Sequence, residues 1–210
     1  MTDHAASPTE DPSGTPAHLP DGERRVRDAL TTLGLEASVT RHGRVSSLAE
    51  AAAARGVTPD RLIKTMVVRR GGDDYLLVLV PGDRTISWPK LRALLGVSRL
   101  SMPDAATALA VTGFERGTIT PLGTTRAWPV VADARVTGVI SIGGGGHGVG
   151  VTVDGDALVA ALGATSADVT DPEQPTARAD PREPNPDAPL CQGTQVPTDR
   201  GLVGPPNMGG

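Results

Sequence analysis

Two apolar runs on either side of a Gly/Asp turn constrain this chain more than any other feature. Ile63-Lys64-Thr65-Met66-Val67-Val68 and the stretch from Tyr75 to Val80 flank Gly71-Gly72-Asp73-Asp74. β-branched and apolar runs around such a turn spell a β-hairpin, with strands predicted over Lys64–Arg69 and Tyr75–Val80. Inside the first strand stands Lys64, one of only two lysines, against eighteen arginines. Where a position needs only positive charge, this chain writes arginine. A compact ammonium with a tunable pKa does chemistry that a guanidinium fork does not. Period-two alternation puts Lys64 on one face with Met66 and Val68, so its head is partly desolvated unless that face opens onto a cleft. This marks Lys64 as the candidate catalytic residue; the competing reading is a lysine that snorkels at the mouth of a strand. Lys90, in the helical stretch Pro89 to Leu95, reads as a solvated surface charge.

The rest of the chain alternates irregularly between helical and extended patterns. Asp21 caps a helix whose Val26, Leu30 and Leu33 form one stripe and which Gly34 ends. A strand over Ala37–Thr40 follows, and the capping box Ser47-Leu48-Ala49-Glu50 opens an alanine-rich helix that stops at Gly56. Thr58-Pro59-Asp60 starts a short helical turn. Ser87 caps a helix through Leu91, Leu94 and Leu95 to Gly96, and Ser101-Met102-Pro103-Asp104 opens another toward Val111. A loop from Thr112 to Arg126 precedes strands at Trp128–Ala132, Val136–Ile142 and Val149–Val153, then a helix over Asp156–Leu162. With hairpins among the helices and no internal repeat, the expected class is α+β: a mixed, barrel-like β-sheet surrounded by helices.

Composition sets the domain limits. Residues 1–20 carry four prolines without apolar periodicity, and residues 171–210 are rich in Pro, Gly, Asp and Gln without a hydrophobic run, so both read as disordered tails. One folded domain is expected over residues 21–170, long enough for a real core. Formal charge divides along the same lines: −3 for 1–20, +2 for 21–170 and −3 for 171–210. The body therefore lacks the broad basic excess of a DNA-binding surface, although a local contact with RNA fits. The single cysteine, Cys191, excludes a disulfide framework and a Cys-based zinc site. No apolar leader and no run of 18 apolar residues occurs, so a cytoplasmic protein with no membrane contact is expected.

Two glycine-bearing loops hold the remaining candidates. Gly143-Gly144-Gly145-Gly146-His147-Gly148 contains a formal G-x-G-x-x-G, but the strand Val149–Val153 follows where a dinucleotide fingerprint needs a helix N-terminus. Its bare N–H groups suit a phosphate, a ribose or a developing oxyanion, or else the run is a flexible hairpin loop. His147 is a candidate for ligand contact or proton transfer. The second loop, Gly117-Thr118-Ile119-Thr120-Pro121-Leu122-Gly123, combines the fixed φ of Pro121 with glycines that permit close approach. Serine-hydrolase elbows, H-E-x-x-H and the Walker-type phosphate loop are absent.

Taken together and in order, the Lys64 strand, Thr112-Gly113-Phe114 with the G-x-x-x-P of Gly117 to Pro121 and Leu122-Gly123, and the glycine turn before Val149 resemble the YbaK/EbsC family. That family comprises aminoacyl-tRNA deacylases related to the editing insertion of bacterial prolyl-tRNA synthetase. The resemblance runs from about Val26 to Val169. It implies removal in trans of a wrong, small amino acid from a tRNA, with cysteine on proline tRNA the best-known substrate, and neither metal nor cofactor. By the same resemblance, Lys64, beside Thr65, meets the terminal adenosine and the ester. Gly117 and Pro121 shape the aminoacyl pocket, and Gly144, Gly145 and Gly148 match the glycine turn beside it, which also holds His147. Phe114, next to the G-x-x-x-P loop, is a candidate for contact with the terminal base, with plain core the favoured alternative. The implied partners are the acceptor end of an aminoacyl-tRNA and a prolyl-tRNA synthetase that presents it. Ser46 and Ser47 stand where some members carry an aromatic pocket residue, and His147 where some carry another basic side chain. An activated ester needs positioning and a stabilised oxyanion more than a strong nucleophile, so the absence of a triad is consistent with the resemblance. A non-catalytic module of the same fold, binding an acceptor end or a synthetase, is the alternative.

Overall fold

The computed structural model describes residues 21–173. The 1–20 segment, Cys191 and all but the first three residues of the 171–210 segment lie outside the described residues. The described residues open with α1 (Asp21–Thr32), β1 (Ala37–Arg41), α2 (Leu48–Ala54) and a 3-10 turn at Pro59–Arg61. The hairpin follows as β2 (Ile63–Gly71) and β3 (Asp74–Pro81), antiparallel, with Lys64 opposite Val80. Next come β4 (Arg84–Ile86), α3 (Trp88–Leu95), α4 (Ala105–Thr112), β5 (Val130–Asp133), β6 (Val139–Gly143), β7 (Val149–Asp154), α5 (Gly155–Ala161), β8 (Thr165–Ala167) and β9 (Thr170–Pro172).

These strands form three sheets among the described residues, ordered β1-β7-β6, β2-β3-β5-β8 and β4-β9. The four-stranded sheet is mixed: β2 runs antiparallel to β3, while β3, β5 and β8 are mutually parallel. The α+β class is therefore as expected, but the sheet closes into no barrel. Among the described residues, single bridges flank the outer edge of β2, from Leu62 just before it to Ser141 and from Arg69 to Ser101, and the edge stays open between them.

β3 explains why the hairpin was so legible. Every residue from Tyr75 to Pro81 is buried, because the strand is covered on both faces. Leu77 and Leu79 join a core with Val26, Leu30, Ile140, Ile142 and Leu158, whereas Leu76, Val78 and Val80 pack with Ile86, Leu91 and Val169. α2 begins as the capping pattern predicts, with Ser47 Oγ accepting from the Glu50 N–H at 3.1 Å. The Glu50 carboxylate reaches one residue further back than a capping box requires, taking the Ser46 N–H at 2.8 Å and hydroxyl at 2.9 Å. The backbone bond from Ser46, then the hydroxyl, hold Glu50 below the usual carboxylate range.

The short strands β4, β8 and β9 had no periodicity to announce them. They are fixed by polar contacts centred on Asp133, which is fully buried. Its carboxylate accepts from Thr170 Oγ1 at 2.7 Å, the Val169 N–H at 3.2 Å, and Arg135 through both backbone (3.1 Å) and guanidinium (2.9 Å). Burial alone would raise its pKa, yet these bonds outweigh it and the group sits below its ordinary value. Ordered pairing thus continues past residue 170, the boundary drawn from composition. Lys90 is also more than a free charge, since it bridges Asp168 at 3.0 Å and Asp171 at 2.9 Å. None of the described helices is long and apolar enough to cross a membrane.

Candidate active site

Along the open edge of β2 lies a cleft of about 420 Å³. Leu62 to Val67 form one wall, Met102 to Ala105 and Ala108 contribute the approach to α4 and its first turns, and Arg55, Arg116, Gly117, Ile119 and Gly143 complete the lining. The direction of the main chain on β2 follows from its end bridge: Arg69 donates to Ser101 O at 2.8 Å and accepts from Ser101 N at 3.1 Å, so its polar groups point away from β3. In an antiparallel ladder, residues two apart point the same way. The N–H and C=O groups of Val67 and Thr65 therefore face outward, where no other described strand pairs with them. Thr65 Oγ1 is likewise buried without a hydrogen-bond partner among the described residues. A desolvated hydroxyl and a bare strand edge are where a ligand's polar atoms gain most.

Lys64 lines this cleft, but its ammonium does not reach toward the glycine loops. Nζ donates to Gly82 O at 2.9 Å, in the turn that joins β3 to β4, and to Arg84 O at 2.6 Å, on the first residue of β4. Its third partner is Glu173 Oε2 at 3.4 Å, a carboxylate that is 60% exposed. Two N–H groups are thus committed to main-chain carbonyls, and one is held loosely by a surface acid.

The sequence candidates separate around this geometry. Lys64, Thr65 and Gly117 share the cleft, together with Gly143 from the glycine run. Phe114 does not: it is 2% exposed in the core, under the Arg25 guanidinium at 4.6 Å from its ring centre. Pro121 is buried between Thr120 and Leu122. Gly144 lines a separate, much smaller cavity against Glu23 and Val26 of α1. Gly145 packs on the Gly22 backbone and Gly148 on His42 O. His147 is exposed and pairs with exposed Glu115, Nε2 to Oε2, at 3.0 Å.

The Gly117 loop is held from outside the cleft. Arg25 Nε donates to Gly123 O at 2.9 Å and its Nη2 to Gly113 O at 2.7 Å, clamping both ends of the segment that carries Gly117. On the cleft side, a Cβ on Gly143 would meet Ile119 O at 2.8 Å, so the end of β6 closes directly on the same loop. Sequence reasoning missed Arg55, Arg116, Met102 and Ile119, which line the cleft from three other segments. Arg116 adjoins the Gly117 loop, Ile119 lies within it and Met102 within the capping signal before α4, whereas Arg55 had no positional hint.

A family model described as the aminoacyl-tRNA editing domain matches residues 42–161, which include the whole cleft. The chain belongs to that family. Proline–tRNA ligase of Pelobacter propionicus is 30% identical over 116 residues, 55% of this chain and 20% of the ligase. The corresponding ligase of Thermosipho africanus is 37% identical over 75 residues, 36% of this chain and 13% of the ligase. The chain therefore spans about a fifth or less of the length of these relatives. A solved structure named "putative trans-editing enzyme for prolyl tRNA synthetase" superposes with TM-score 0.66 at 26% identity, covering 73% of this chain and 99% of that one. In this editing domain, the cleft beside β2 brings Lys64 together with a glycine-bearing loop.

Proposed function

We propose that the chain is a trans-acting aminoacyl-tRNA deacylase that removes a small mischarged amino acid, cysteine on a proline tRNA before others. The observation that carries this reading is the combination on β2: a lysine with one loosely held N–H beside a bare, outward-facing strand edge. The ester carbonyl oxygen takes the N–H of Lys64 that Glu173 holds at 3.4 Å, while Gly82 and Arg84 keep the ammonium aimed. That N–H supports the negative charge that grows on the oxygen as the carbonyl carbon is attacked. The outward C=O groups of Thr65 and Val67 suit the substrate's α-ammonium. Attack comes from water or from the substrate's own thiol; the ester C–O bond breaks, and the ribose oxygen leaves with a proton. Met66, Met102, Ala108 and Ile119 give the cleft apolar walls that admit a small side chain and exclude a large one. A prolyl-tRNA synthetase is the fitting partner to present the tRNA. The working body is residues 21–173, because β9 and Glu173 complete the surroundings of Lys64.

The test is loss of amino-acid label from cysteinyl-, alanyl- and seryl-tRNA. Lys64→Ala should slow the preferred substrate by at least ~100-fold, about 2.7 kcal/mol of transition-state stabilisation. Lys64→Arg should cost at least ~10-fold, about 1.4 kcal/mol, because a planar fork does not satisfy two converging carbonyls and the ester oxygen at once. Label loss that is the same with wild type, Lys64→Ala and no protein would replace catalysis with the binding-module reading.

A further inference from the structure

Arg55, absent from the motifs above, is a half-buried cation beside the cleft with no carboxylate partner among the described residues. It caps the C-terminal end of α2 and runs along the β7 backbone, filling the space over Gly150, where a Cβ would meet its Cδ at 2.6 Å. Nε donates to His42 Nε2 at 3.2 Å and Nη1 to Ile142 O at 3.2 Å, neither of them a carboxylate. His42 Nδ1 lies 2.8 Å from Gly43 O. Nη2 makes no hydrogen bond among the described residues, and no described carboxylate pairs with the guanidinium. Burial lowers its pKa, with no charge partner opposing that. Arg116, exposed beside Gly117, lines the same cleft and also has no ion pair among the described residues. The one acid in the lining, Asp104, is committed to capping α4 through the Thr107 N–H at 2.7 Å.

We infer that Arg55 and Arg116 bind the 5′-phosphate of the substrate's terminal nucleotide. This rests on the deacylase reading, since the chemistry of an aminoacyl ester selects the anion. The amino acid's carboxyl group is esterified and neutral, and its α-amino group is cationic. The nearest anion that every such substrate carries is therefore the phosphate one ribose away from the ester. Guanidinium is the side chain that meets phosphate oxygens in parallel pairs of charge-assisted bonds. Arg55 at the inner end and Arg116 on the loop would thus fix how far the ester travels along β2, setting its register against Lys64. Neither residue touches the reacting bond; both are binding residues.

Equilibrium binding of adenosine 5′-monophosphate and of adenosine to the full chain tests this without any deacylation. Wild type should bind the monophosphate at least ~10-fold more tightly at low salt, and the preference should shrink as salt rises. Arg55→Gln should cut monophosphate affinity at least ~5-fold while leaving adenosine within about twofold. Because Arg55 packs on Gly150, Arg116→Gln provides a variant on an exposed loop, expected to lose at least ~3-fold for the monophosphate alone. Equal wild-type affinity for the two ligands overturns the inference, as does an Arg116→Gln protein that keeps the full preference. Failure here with intact deacylation removes only the phosphate site; loss of deacylation with the preference intact removes only the catalytic reading.

Discussion

The two glycine-bearing loops look alike in sequence and do opposite things in the fold. Gly117 has φ +92° and nothing within 4 Å of where a Cβ would stand, so its bare backbone opens on the cleft. Gly145 has φ +80°, yet a Cβ there would lie 2.5 Å from Gly22 O and 2.9 Å from Val26 Cγ2. The first loop leaves its main chain uncovered beside the cleft, and the second packs its main chain on helix α1. A missing side chain therefore means approach, but the sequence does not say by what. What stands over the absent Cβ decides it.

The largest effect expected from this contrast is at the closed loop. Gly145→Ala combines left-handed strain with a backbone clash and should cost about 2–4 kcal/mol of stability in a denaturant titration. A cost below about 1 kcal/mol would break the comparison, because α1 would then have room to move away. Asp133 anchors the C-terminal strands by polar contact as α1 anchors the glycine turn by packing. Asp133→Asn should cost about 1.5–3 kcal/mol near neutral pH, since it removes a charged acceptor of several hydrogen bonds. The folded-state pKa of Asp133 is depressed, so its contribution is present above the unfolded value of about 3.9 and is lost as pH falls through the folded value. The stability gap between wild type and Asp133→Asn should accordingly narrow below about pH 3.9. Gly117→Ala meets no neighbour and should cost only about 1 kcal/mol of stability from its backbone angle. Its effect should fall on deacylation instead, by at least ~10-fold at a temperature where the protein stays folded. Unchanged activity would mean that the open loop is as passive as the closed one.

How much of this was readable beforehand follows the same division. The hairpin was legible because β3 is buried on both faces and so reads as an unbroken apolar run from Tyr75 to Val80. The helix caps at Ser47 and Asp104 were legible because capping is local chemistry over three residues. β4, β8 and β9 were not, since each is three residues long and owes its place to contacts such as Asp133 with Thr170, 37 residues apart. Lys64 stood out through its rarity and its strand, and it does line the cleft. The direction of its ammonium, toward Gly82 and Arg84, depends on a turn whose position is set by tertiary packing. Arg55 offered no signal at all, because an arginine ending an alanine-rich helix looks like any solvated charge until β7 is laid beside it.

The smallest expected effect belongs to His147, whose side chain hydrogen-bonds from one loop to the other. His147 leaves the glycine turn and reaches Glu115, two residues before Gly117, but both side chains are about 70% exposed. An exposed pair gains little Coulomb energy in water and spends side-chain entropy to hold its geometry. His147→Ala should therefore change stability by less than about 0.5 kcal/mol and leave deacylation within about twofold. A loss of ~10-fold or more would bring the closed loop back into the reaction: either the imidazole would swing off Glu115 toward the substrate, or the Gly117 loop would need that tether to keep its opening. Glu115→Ala distinguishes the two, because it frees the imidazole while cutting the tether. Activity lost in both variants points to the tether, and activity lost only in His147→Ala points to the ring.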